Sequence, residues 1–174
     1  MIPYIVYWIR YCIEEVVVTA TISVPKRVVE HAQRLAERLG LSLEEYFIEL
    51  VLQDLDPEDR AEEYIEAAKD LLEEAYRELE KGNIRQAAEK IWGAAALAVK
   101  AYAWKRENKR LVSHRELWEY ARKISRELGD WFLHAWHEAN TMHTCFYEAW
   151  CSREDVEIAY KQVERLVKEL RSRL

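Results

Sequence analysis

The stretch IWGAAALAVKAYAW, residues 91–104, is apolar on nearly every side if it is helical. A helix at a protein surface needs only one apolar stripe, whereas a helix without a polar face must be enclosed by other elements. Its alanines, Ala94, Ala95, Ala96 and Ala98, let those neighbours come close. Residues 84–105 are therefore expected in the middle of a helical bundle.

The flanking sequence supplies the neighbours. Asp56 as N-cap and Pro57 in the first turn mark a helix start. Ala61, Tyr64, Ile65, Ala68, Leu71, Leu72, Ala75 and Leu79 then form a one-sided stripe at spacings of three and four. Gly82 and Asn83 turn the chain into the central helix. Ser113 and Glu116 cap a further helix with Leu117, Trp118, Ala121, Ile124 and Leu128 inward, and Gly129 with Asp130 breaks it. A helix over 131–151 follows, and Ser152 with Asp155 caps a last amphipathic one. Five helices joined by short turns favour antiparallel neighbours. Ahead of them, VVVTATISV at 16–24 has strand character and Pro25 ends it. Two helices come next, the first closed by Gly40 and the second opened by a Ser42–Glu45 capping box. The expected fold is mainly α: an N-terminal strand-helix-helix element over 1–55 and an antiparallel five-helix bundle over 56–174.

At 174 residues the chain holds one domain of ordinary size plus a small appendage, and 50% hydrophobic residues suffice for a core. A net charge of −6 argues against broad nonspecific binding to nucleic acid, which rests on phosphate neutralisation. The 3 cysteines, Cys12, Cys145 and Cys151, imply no disulfide framework and fit a reducing cytosol. The start, MIPYIVYWIRYCIEE, carries Arg10, is too short to span a bilayer and lacks a small-residue cleavage site. A cytoplasmic protein with no membrane partner is expected. Few amides and repeated Glu-to-Lys or Glu-to-Arg pairs four residues apart, such as Glu73 with Arg77, resemble heat-adapted composition.

Two segments carry a family resemblance. AKDLLEEAYRELEKGNIRQAAEKIWGAAALAVKAYAW resembles the paired helices of HEPN-type domains, whose second helix is rich in alanine and carries a lysine. MHTCFYEAW is similar to the short His-x-x-Phe-Tyr-Glu signature of the archaeal PaREP paralogue family, itself placed among HEPN-like bundles. The similarity covers roughly residues 56–172, and Lys90, Lys100, His143, Phe146, Tyr147 and Glu148 are the matching positions. Cys145 departs from the expected asparagine. The resemblance implies an antiparallel HEPN-like bundle that forms a homodimer and acts with a nucleotide, RNA or a nucleotidyltransferase-like protein. ISVPKRVVEHAQRLAERLGLSLEEYFIEL separately resembles a ribbon-helix-helix unit, including its Gly-Leu-Ser turn.

The histidines decide which chemistry is open to such a bundle. At about 100° per residue, His143 shares a face with Phe132, Trp136, Ala139, Phe146, Tyr147 and Trp150. His134 and His137 lie opposite, with Thr141, Cys145 and Glu148, so the imidazoles diverge. His134 with His137 or Glu138 offers two metal ligands, but no Cys-x-x-Cys or His-Glu-x-x-His pattern completes a shell. No metal and no cofactor is expected. HEPN nucleases set an arginine four to six intervening residues before a histidine, where it stabilises phosphate charge. Before His143 those positions hold Glu138, His137 and Trp136, so a divergent ribonuclease is the alternative rather than the expectation. His114, following the Ser113 cap, reads as first-turn packing or capping. Lys100, among alanines, needs a partner or a route to solvent, and Glu148 is the candidate partner. In a ribbon-helix-helix reading Thr19, Thr21 and Ser23 would face DNA, with only Lys26 and Arg27 beside them, so DNA is the less favoured partner. The expected activity is a noncatalytic binding or assembly module, with Lys90, Lys100, His143, Tyr147 and Glu148 as its ligand-binding residues.

Overall fold

The computed structural model describes residues 23–39 and 41–174. They form helices α1 (Lys26–Leu39), α2 (Leu43–Leu52), α3 (Pro57–Glu80), α4 (Ile84–Glu107), α5 (His114–Leu128), α6 (Asp130–Glu148) and α7 (Arg153–Arg171). Among the described residues there is no strand. The strand expected at 16–24 lies, up to residue 22, outside the described residues, as does the Gly40 stop. Ser23 and Val24 belong to no regular element. No described helix is long and apolar enough to cross a membrane.

The apolar segment sits where its composition requires. Every residue from Ile91 to Ala103 is buried, and α3, α5, α6 and α7 all pack on α4. The stripe of α3 turns Tyr64, Ile65, Ala68, Leu71, Leu72, Ala75 and Leu79 inward. Gly93 is a point of close approach. A Cβ there would lie 3.0 Å from Leu71 Cδ1 and 3.7 Å from Glu45 Cγ, so α3 and α2 both crowd that point of α4. Arg60 ties the α2–α3 connection together by donating to the carbonyls of Leu52, Gln53 and Leu55 at 2.9, 2.8 and 2.6 Å. Its guanidinium also lies 4.3 Å over the Trp104 ring.

The helix starts follow local chemistry. Ser42 and Glu45 exchange bonds in a full capping box, as do Ser152 and Asp155. The Ser113 hydroxyl accepts from the Glu116 amide at 3.3 Å. Asp56 holds the N-cap position of α3 without a side-chain cap bond.

Three expectations need correction at the far end of α6. The helix stops at Glu148, because Ala149 adopts a left-handed conformation (φ 52°), leaving Trp150 and Cys151 outside it. That conformation costs an L-residue about 1–2 kcal/mol, and alanine carries no sequence signal for it. The reversal brings Cys151 back to Cys145, with Cα atoms 5.7 Å apart and the two joined in a disulfide, where composition led us to expect free thiols. Cys145 is buried with Phe132, Ala135, Trp136, Ala139 and Met142 rather than on the outer face with His134 and His137.

The alanine seam gives a direct test. Ala95 is fully enclosed, and Ala95→Leu is expected to lower stability by roughly 1–3 kcal/mol through overpacking. Urea unfolding followed by circular dichroism measures it.

Candidate functional site

His143 stands on the margin of the buried face of α6, where three helices bring aromatic rings together. Its ring centroid lies 4.9 Å from Trp92 on α4, 4.8 Å from His114 in the first turn of α5, and 5.1 Å from Tyr147 one turn on. His114 in turn stacks on Trp92 at 4.9 Å with an interplanar angle of 18°. Burial, then the neighbouring His114, lower the His143 pKa to about 4, so the imidazole is neutral at pH 7. His137 packs edge-on against Trp118 at 5.0 Å, and His134 is exposed. The histidines of α6 therefore serve two faces.

Carboxylates surround the stack. Glu45, only 1% exposed, accepts the Ser42 amide at 2.7 Å through Oε2. Its Oε1 has no hydrogen-bond partner among the described residues, and neither has Trp92 Nε1. Burial raises the Glu45 pKa, against the pull of Lys100, Ser42 and His114. Glu89, half-buried on α4, is pushed up to about 7 by burial and then by Glu44 and Glu45, with Lys90 and Arg85 opposing. The Tyr147 phenol also rises, through burial and then Glu89, Glu45 and Glu37. Arg85 fastens the end of α6 to the start of α4: it donates to the Phe146 carbonyl and lies 4.9 Å over that ring.

Both lysines already have partners. Lys90 donates to Glu44 at 3.0 Å and also pairs with Glu74. Burial works against its ammonium, but those two carboxylates hold its pKa above the ordinary value. Lys100, 2% exposed, has Nζ 2.7 Å from Glu49 Oε1 on α2. Glu49 also raises the pKa of the Tyr64 phenol, after burial, and has Arg110 3.8 Å from Oε2. The expected Lys100–Glu148 pair is therefore corrected to Lys100–Glu49, and Glu148 is exposed at the end of α6.

Of the five expected site residues, only His143 and Tyr147 touch. Lys90 and Lys100 reach the same region electrostatically, Lys90 through Glu89 and Lys100 through Glu45. Sequence reasoning missed Trp92, Glu45, Glu49 and Glu89 as site residues, and took His114 for first-turn packing or capping. A signal was available for the α2 pair: Glu45 and Glu49 are four apart, so both share one face of that helix. Among the described residues, no group of three or more His, Cys, Asp or Glu side chains could hold a metal ion. What remains is a neutral imidazole, a carboxyl that titrates near neutrality and an aromatic wall in an acidic setting. The nearby cations Lys90, Lys100 and Arg85 each already face a carboxylate or a carbonyl. Such a site disfavours phosphate.

A family model described as the archaeal PaREP1/PaREP8 family matches residues 63–167, inside the span over which the resemblance was read. No curated protein and no solved structure matches the chain.

The two shifted groups pull stability in opposite directions with pH. His143, lowered from 6.5 to about 4, contributes stability that is complete above 6.5 and lost as pH falls toward 4. Glu89, raised from 4.5 to about 7, favours the fold while protonated, so its contribution declines as pH rises from 4.5 through 7. Glu89→Gln is expected to raise the melting temperature at pH 8 and leave it little changed at pH 4. His143→Gln should flatten the acid limb alone. Thermal melts across pH 4–8 check both.

Proposed function

The chain belongs to the archaeal PaREP1/PaREP8 family, and from that membership we propose that it is a noncatalytic assembly module. In this reading it is a HEPN-like bundle that pairs with a second copy of itself through the aromatic end of α6. The observation that carries the reading is the exposure of Tyr147 and Trp150, 55% and 52%, in the family-matching segment beside the His143 stack. Large aromatics left in water beside a rigid support are the residues that anchor interfaces. A chain of net charge −6 also repels its copy, so in this reading the exposed rings, rather than the carboxylates around them, hold the two copies together. Catalysis on RNA is the weaker reading, because no arginine stands at the HEPN spacing before His143 and the carboxylates Glu45 and Glu89 make its surroundings acidic. By resemblance, the further partner of the dimer is a nucleotide, RNA or a nucleotidyltransferase-like protein.

Sedimentation velocity tests this directly. The protein is expected to run as a dimer at micromolar concentration. The double substitution Tyr147→Ala with Trp150→Ala should weaken the dimer by at least about 30-fold, the loss of one anchor worth about 2 kcal/mol. A monomeric wild type, or an unaltered dimer in the double variant, would overturn the reading. Cleavage of labelled single-stranded RNA that disappears in His143→Ala would establish the ribonuclease instead.

A further inference from the structure

We propose that a cavity between α2 and the α4–α5 connection, lined in part by Lys100, binds a small monocarboxylic acid with a short apolar tail. The cavity measures about 110 Å³ and is walled by Leu39, Leu41, Leu50 and Val112, with Glu49, Lys100 and Arg110 among its lining residues. Two of those charged groups are deeply buried. The side chains of Lys100 and Glu49 are 3% and 9% exposed, with Nζ and Oε1 2.7 Å apart. Arg110 is half-exposed, and its guanidinium approaches Glu49 Oε2 only at 3.8 Å.

The charges do not balance. Lys100 and Arg110 bring two positive charges against the negative charge of Glu49, while burial favours the protonated form of Glu45, the other carboxylate that interacts with Lys100, which leaves room for one further anion. The donors do not balance either. An ammonium has three N–H donors and a guanidinium five, while Glu49 is the one carboxylate within ion-pair distance of either group among the described residues. A carboxylate beside Arg110 would use those donors, and its tail would meet leucine and valine side chains. Size limits the ligand as well. The volume is far below the roughly 300 Å³ at which drug-sized ligands begin, so a nucleotide does not fit. A phosphate dianion would exceed the single uncompensated charge, and an amine would meet two cations.

Butyrate is the probe, with butyramide as its neutral equivalent and butylammonium as its cationic one. Calorimetric titration is expected to show one butyrate per chain with millimolar affinity, and no binding of the other two. Arg110→Gln, at a half-exposed position, should weaken butyrate at least tenfold. The joint replacement of Glu49→Leu, Lys100→Met and Arg110→Gln removes all three lining charges without leaving half of the buried pair alone, and should abolish binding in a chain that still melts cooperatively. Chemical-shift changes confined to Leu39, Leu50 and Val112 would confirm the location. The proposal is overturned if butyrate gives no heat and no shift up to about 10 mM, if butyramide binds equally, or if the joint variant binds unchanged.

Discussion

The enclosure of α4 is the constraint on which the other helices depend. Its alanines let α3, α6 and α7 approach a backbone with no large side chains along much of its length, and Gly93 removes even the Cβ where Leu71 and Glu45 meet. Close approach fixes position as well as stability: a seam of small residues accepts only neighbours that match its contour. Trp92 and Lys100, two of the larger groups of α4, each became the centre of an aromatic or polar cluster.

Those clusters share an unusual debt to α2. This helix turns Glu45 and Glu49 inward, together with Leu52, instead of an apolar stripe. Isolated buried carboxylates are unfavourable, and the two are accommodated differently. Glu49 is compensated by Lys100 and Arg110. Glu45 shares one oxygen with its own helix start, keeps the other unpaired, and gains its proton more readily. The short helix is thus held by electrostatics as much as by apolar area, and it brings carboxyl groups to the histidine stack and to the small cavity.

Helix positions were legible in the sequence because period and capping are local. Ser42, Ser113 and Ser152 sit where helices begin, and every residue of the expected α3 stripe is buried. The end of α6 was not legible, since nothing about Ala149 announces a left-handed backbone; the reversal that pairs Cys145 with Cys151 was hidden for the same reason. In the site, His143 and Tyr147 could be read because they stand one turn apart on the same helix. Their carboxylate surroundings could not, because Glu45 comes from α2 and Glu89 from α4, and Glu45 already had a complete local explanation as a cap. The partner of Lys100 was misassigned on the same ground: its true counterpart lies 51 positions earlier, and no periodic pattern connects two helices.

A helix claimed on every side has few neutral positions through which a lineage can wander. Each exchange on α4 must be matched by an exchange on whichever helix it touches, so its history should be one of paired steps. The surface ends of α2, α5 and α6 bear no such obligation. Innovation in this architecture is pushed to its periphery, and a new binding property can arise there while the central rod stays as it was.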